Sequence, residues 1–163
     1  MWSIAISTVV VSLIGAFAHF TQPTELAERR GSVAAVAESM AVYRAAVVRY
    51  FSAHAGQVDT SVDLATLRNE GALRDWSTLA ADRWNNYRAV DGTIYIYGAG
   101  VPSADVGAAL ARQAHNSLMA GTYNRATATL YSRAEGGQHI PLAPLLAHRQ
   151  LADGAPVWLA AAQ

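Results

Sequence analysis

A chain whose first twenty residues carry no formal charge has to keep them out of water. Met1–Phe20 (MWSIAISTVVVSLIGAFAHF) contains no Asp, Glu, Lys or Arg, and the first charged residue is Glu25. The 19 residues from Trp2 to Phe20 would form a helix about 28 Å long at about 1.5 Å per residue, close to a hydrocarbon core of about 30 Å. Ser3, Ser7, Thr8 and Ser12 are compatible with that setting, because a helical hydroxyl can bond back to a carbonyl one turn earlier. Trp2 at one end and His19 and Phe20 at the other are ring residues of the kind that anchor at the membrane interface. Residues 1–20 are therefore expected to be a transmembrane anchor. A cleaved signal sequence is the rival, since Ala16-Phe17-Ala18 has a small-x-small form, but no basic n-region precedes the apolar run. A buried N-terminal helix of a soluble protein is the third reading.

Orientation and composition narrow the partners. Arg29 and Arg30 follow the span and nothing basic precedes it, so local charge alone would leave the C-terminal part in the cytoplasm. Twelve basic residues, all arginine, balance twelve acidic ones. That neutral balance argues against nucleic acid, which selects a basic face, and against a polybasic lipid-binding patch. With no cysteine, disulfides, thiolate metal sites and cysteine nucleophiles are excluded. The roughly 140 residues beyond the anchor suffice for one ordinary domain.

Thr21–Gly31 reads as a polar linker, and residues 32–163 as the folded domain. Ser32 is placed to cap a helix running to about His54. Its apolar stripe, Val33, Val36, Met40, Tyr43, Val47 and Tyr50, has helical steps of three and four, with Glu38, Arg44 and Arg49 off the stripe. Packing on the chain's own sheet fits this stripe better than a coiled coil of two and a half heptads. Asp63–Leu73 predicts a short helix with Leu64 and Leu67 inward, Gly71 ending it and Leu73 sealing it.

Trp84–Gly98 (WNNYRAVDGTIYIYG) predicts a hairpin turning at Asp91-Gly92. A two-residue type I′ turn there would pair Asn86 with Tyr97, Arg88 with Tyr95 and Ala89 with Ile94. Tyr87, Ala89, Ile94 and Ile96 would then face the core. Asn86, Arg88, Tyr95 and Tyr97 would share the outer face, where Tyr and Arg are characteristic of protein interfaces. Ser103 is placed to cap a second helix to about Leu118, stopped by Gly121. Thr122–Ser132 alternates as one strand, His139–Gln150 reads as a proline-containing loop with a helical turn after Pro144, and Val157–Ala161 closes the chain as a strand. The predicted fold class is α+β, with amphipathic helices on one face of a small antiparallel sheet after the N-terminal span, a pilin-like layout.

No catalytic constellation is spelled out. The five histidines, His19, His54, His115, His139 and His148, include no helical pair at zinc-ligand spacing. There is no nucleophile elbow, P-loop or dinucleotide fingerprint, and Gly98-Ala99-Gly100 lacks the third glycine. No cofactor and no metal are expected.

An uncharged N-terminal span is followed by a helix containing Ser39-Met40-Ala41-Val42-Tyr43-Arg44 and a segment ending in Gly71-Ala72-Leu73. The Trp84…Tyr97 hairpin and a C-terminal Asp153-Gly154-Ala155-Pro156-Val157 complete the layout. This arrangement resembles the PilM family of type IVb, conjugation-type pilus systems. The resemblance implies a bacterial inner-membrane protein with a periplasmic domain, overruling Arg29 and Arg30. It further implies an assembly or basal-body component. With the anchor, the neutral charge and no catalytic constellation, the chain is expected to be non-enzymatic and to contact other pilus-assembly proteins, and the bilayer through residues 2–20, with homo-oligomerisation open. It supplies no catalytic residues. A minor pilin or pseudopilin is a sibling reading, although the span lacks a basic leader and an internal glutamate. An anchored or secreted enzyme or ligand binder is a further alternative, and it would call for a deep polar pocket joining His139 or His148 to an acidic residue.

Overall fold

A computed structural model describes residues 31–74, 79–80, 83–100, 106–133 and 139–161. The expected anchor, with Trp2, His19 and Phe20, lies outside these residues, as do most of the linker and Ser103. By internal contacts the chain divides into Met1–Val33 and Ala34–Gln163, and the second unit carries the α+β fold. Helix α1 (Gly31–Ala53) precedes α2 (Leu64–Asn69). These are followed by β1 (Trp84–Arg88), β2 (Thr93–Gly98), α3 (Val106–Gln113), β3 (Ala120–Asn124), β4 (Thr129–Tyr131), β5 (His139–Pro141), α4 (Ala143–Leu146) and β6 (Pro156–Ala161). The six strands form one antiparallel sheet in the order β1-β2-β6-β3-β4-β5.

The last strand is the central one. PVWLA is buried along five successive residues, as a strand covered on both faces must be. Trp158 and Ala160 join Ile94, Ile96 and Ala120 beneath Met40, Tyr43, Val47 and Phe51 of α1, Leu64 and Leu67 of α2 and Leu110 of α3. On the opposite face Val157 and Leu159 join Tyr87, Tyr95, Tyr97, Tyr123 and Leu130. That side is closed by Leu142, Leu145 and Leu151, so the proline-containing segment is a strap over the second face of the sheet.

Local signals explain most boundaries. Asp63 accepts a hydrogen bond from the Thr66 backbone N–H at 2.6 Å and caps α2. Gly71 takes φ 68° just past its end, and Leu73 N–H bonds the Leu67 carbonyl at 2.8 Å, closing the helix as expected. Helix α1 is long and apolar enough, by length and composition, to cross a membrane. Its buried stripe nevertheless builds the core of the domain, so it behaves as an amphipathic core helix.

Three expectations are corrected. Helix α3 does not run to about Leu118 but ends at Gln113: His115 and Asn116 turn left-handed (φ 52° and 57°), and Asn116 N–H reaches back to the Ala111 carbonyl at 2.7 Å. Gly121 lies in β3, where a Cβ would collide with the Tyr131 carbonyl; its role is close backbone approach. Thr122–Ser132 is not one strand but the hairpin β3–β4, reversed at residues 125–128 with Ala128 at φ 55°.

The third correction concerns the β1–β2 register. Asn86 pairs with Ile96, Tyr87 with Tyr95 and Arg88 with Ile94, one residue away from the expected pairing. Gly92 has φ 85°, whereas Asp91 is not left-handed. Gly92 N–H bonds the Ala89 carbonyl at 3.0 Å and Ala89 N–H bonds the Thr93 carbonyl at 2.9 Å. This is a three-residue loop, a type I turn followed by a left-handed glycine, and not a type I′ turn. One extra loop residue slides one strand by one position, and a one-residue slip exchanges faces.

Candidate functional site

The register shift dismantles the expected partner face. Asn86, Arg88, Tyr95 and Tyr97 are 3%, 6%, 3% and 6% exposed, and they do not share a side of the sheet. Tyr95 and Tyr97 lie under the strap. Asn86 and Arg88 stand on the helix side, opposite Ile96 and Ile94. These four residues are interior structure.

Asn86 acts as a buried connector. Its Oδ1 accepts from Val62 N–H at 2.9 Å, while its Nδ2 donates to the Val62 carbonyl and the Tyr43 hydroxyl, both at 2.6 Å. One amide thus satisfies both backbone groups of Val62, in the α1–α2 connection, and a phenol of α1. Arg88 Nη1 donates to the carbonyls of Phe51 and His54 at 3.2 and 3.1 Å. Those are carbonyls that the end of α1 leaves without helical partners. The guanidinium also lies 5.4 Å from the Phe51 ring centroid.

Burial pushes the Tyr43 hydroxyl up to about 12, against the opposing effect of the bond from Asn86. The neutral phenol is therefore a pH-linked stabiliser. Its contribution is fully present below about pH 10, the value of a free tyrosine, and is lost as pH rises toward 12. Chemical denaturation between about pH 9 and 11.5 should show stability falling above about pH 10. In Tyr43→Phe the fall should be shallower by up to about 1.4 kcal/mol per pH unit. An unchanged slope in that variant would place the phenol in water.

Around the outer edge of β1 the polar groups are also engaged in structure. Tyr87 donates its hydroxyl to Asp59 Oδ1 at 2.7 Å. The His148 ring stacks on Tyr87 at 5.1 Å between centroids, and the Arg149 guanidinium lies 5.2 Å from the centroid of the same tyrosine ring. Arg149 Nη2 donates to Ser61 Oγ at 2.9 Å. Together these contacts fasten the strap to the loop before α2. His148 Nδ1 comes within 3.9 Å of Asp59, but both side chains are about half exposed, 45% and 53%, so this pair is not a deep polar pocket. A cleft of about 390 Å³ beside it is lined by Ser61, Asp63, Asn85, Tyr97 and Arg149 among others. Its one carboxylate, Asp63, is held below the usual carboxylate range by the Thr66 backbone N–H that it caps. That carboxylate is poorly suited to act as a general base. His139 bonds Thr129 Oγ1 through Nδ1 at 3.1 Å. Among the described residues no group of three metal-ligating side chains converges.

The concave feature of apolar character is a groove of about 750 Å³ along α1. Ala35, Val42, Ala45 and Ala46 form one wall, and Ala72, Leu73 and Leu79 the other, with Glu38, Arg49 and Arg74 at its borders. Val42 is 44% exposed there, and Arg49 Nη1 ties the walls by donating to the Ala72 carbonyl at 2.9 Å. The sequence signal for it is a second helical line on α1, Ala35, Glu38, Val42, Ala45 and Arg49. It is easily missed beside the stronger core stripe.

The family model described as PilM matches residues 9–159. No curated protein matches the chain. No solved structure matches it either. The match starts inside the uncharged N-terminal segment and ends in the central strand β6, and on that extent the chain belongs to the PilM family, whose role is in pilus biogenesis.

Proposed function

We propose that this protein is a non-enzymatic inner-membrane component of a type IVb pilus assembly or basal-body apparatus. Residues 2–20 anchor it, the α+β domain lies in the periplasm, and it works through contacts with other pilus-assembly proteins. The observation that carries the reading is the family match over residues 9–159, which takes in more than half of the apolar segment as well as the domain. The disposition of polar groups supports it. Asp63, Asn86, Arg88 and Arg149 are engaged in capping and tying elements, while the larger groove is apolar and open, a shape suited to a protein segment.

The test has a biochemical and a genetic arm. Full-length protein should pellet with membranes and resist alkaline extraction, and an export-dependent reporter enzyme fused after Gln163 should be active. Recovery of a mature chain starting at His19 would replace the anchor by a cleaved signal, and a reporter active only in the cytoplasm would reverse the orientation. Deleting the gene should abolish piliation while leaving pilin synthesis intact. Normal pili in the deletion strain would remove the assembly role.

A further inference from the structure

The line of α1 that the core does not use is complementary to itself. Ala35, Glu38, Val42, Ala45, Arg49 and Ser52 are exposed and follow one another at steps of three, four, three, four and three. That spacing puts them on one seam of the helix. Small side chains dominate this seam, which lets a second helix approach to the near end of the usual interaxial range of about 8–10 Å. The charges sit toward its two ends with opposite sign, about 17 Å apart along the axis at about 1.5 Å per residue.

From this arrangement we infer that α1 pairs with the α1 of a second copy of this chain, antiparallel, about a twofold axis passing between Val42 and Ala45. In that register Glu38 faces the partner's Arg49, Arg49 faces the partner's Glu38, Val42 faces the partner's Ala45 and Ala35 faces the partner's Ser52. Every position meets a complement, as an isologous interface requires. A parallel pairing would instead put Glu38 against the partner's Glu38 and Arg49 against the partner's Arg49, which repel. Leu79, half-buried on the far wall of the groove, supplies apolar area beside the seam. The Ala72 carbonyl takes one of the five N–H donors of Arg49, so a bidentate bond to a carboxylate remains available. Residence in one membrane raises the effective concentration of two copies, so a seam of this modest size suffices.

This inference goes beyond the assembly role and rests on the proposed reading only for the membrane anchor; cross-linking reads the pairing itself, whereas membrane pelleting and piliation test that reading. The chain has no cysteine, so single cysteines can be placed in the full-length protein in native membranes and oxidised. Val42→Cys, next to the axis, should give a disulfide-linked dimer in most of the protein. Glu38→Cys, with its two copies about 17 Å apart along the axis, should give almost none. Combining Glu38→Cys with Arg49→Cys should restore the dimer. In uncross-linked protein reconstituted in lipid vesicles, Glu38→Arg should weaken dimerisation at least about tenfold, and Glu38→Arg combined with Arg49→Glu should recover it. A circular dichroism melt unchanged by the exposed substitution Glu38→Arg would exclude misfolding as the cause of its weaker dimer. Equal cross-linking of the Glu38→Cys and Val42→Cys variants would mean parallel pairing and overturn the inference. So would the absence of a homodimer from the Val42→Cys variant, or an adduct of that variant only to a protein of another size.

Discussion

Replacing Asn86 with alanine is expected to destabilise the domain by about 3–5 kcal/mol, enough to unfold much of it near physiological temperature if its total stability is the usual roughly 5–15 kcal/mol. The substitution strips three partners at once: the N–H and carbonyl of Val62 and the hydroxyl of Tyr43. Asn86 is 3% exposed, so water does not readily replace the lost amide. Each buried polar group left unpaired costs about 1–3 kcal/mol. Tyr43→Phe in the same background should cost less than it does in the wild type, because its bond is already gone. That non-additivity marks a shared network. Urea denaturation of the two single variants and the double variant measures this. A loss below about 0.5 kcal/mol for Asn86→Ala would mean that the side chain faces solvent and that the hairpin pairs in the other register.

Arg88→Ala should cost about 2–4 kcal/mol, and its effect should be local before it is global. The guanidinium holds the carbonyls of Phe51 and His54 at the end of α1, and hydrogen bonds from a charged donor contribute about 1.5–3 kcal/mol each at most. Its guanidinium also lies over the Phe51 ring, so Arg88→Met should recover the packing share and leave the capping share lost. Amide exchange should accelerate first in the last turn of α1 and the residues just after it, from Tyr50 to His54, with the central strands β2 and β6 still protected. Uniform acceleration across the sheet would assign Arg88 to the core as a whole and not to the helix end. Were Arg88 a surface interface residue, the melt would hardly move, since exposed substitutions shift stability by less than about 0.5 kcal/mol.

Helix α1, the short helix around Leu64 and Leu67, the hairpin around Asp91-Gly92 and the α+β class are written in local chemistry, and each is legible from the residues in order. Helical spacing placed Met40, Tyr43, Val47 and Tyr50 on one face, and all four are buried. Leu64, Leu67 and the terminating Gly71 marked α2, whereas the capping role of Asp63 emerges only in the structure, because an aspartate suits the first turn of a helix as well as the position before it. The apolar VWLA segment reads as a strand. Its central place between β2 and β3 rests on pairs such as Thr93 with Ala161 and Tyr97 with Val157, far apart in the chain, about which nearby sequence carries no information. The same holds for the strap: a loop with two prolines looks like surface until Leu142, Leu145 and Leu151 are seen covering the second sheet face.

The faces of the β1–β2 hairpin illustrate the division most sharply. Asp-Gly is compatible with a two-residue loop and with a three-residue loop, and the two differ by one residue of register. Both assignments place isoleucines and tyrosines in alternation, so local pattern does not choose between them. The choice is made where β1 meets its neighbours. The amide of Asn86 satisfies Val62 and Tyr43, and the guanidinium of Arg88 reaches the end of α1. The strap buries Tyr95 and Tyr97. Residue order alone assigns most segments to helix or strand here, because periodicity, caps and turns act over a few residues. The inward placement of Asn86 and Arg88 emerges only in the folded chain, because a buried hydrogen bond needs a partner that the fold brings from far along the sequence.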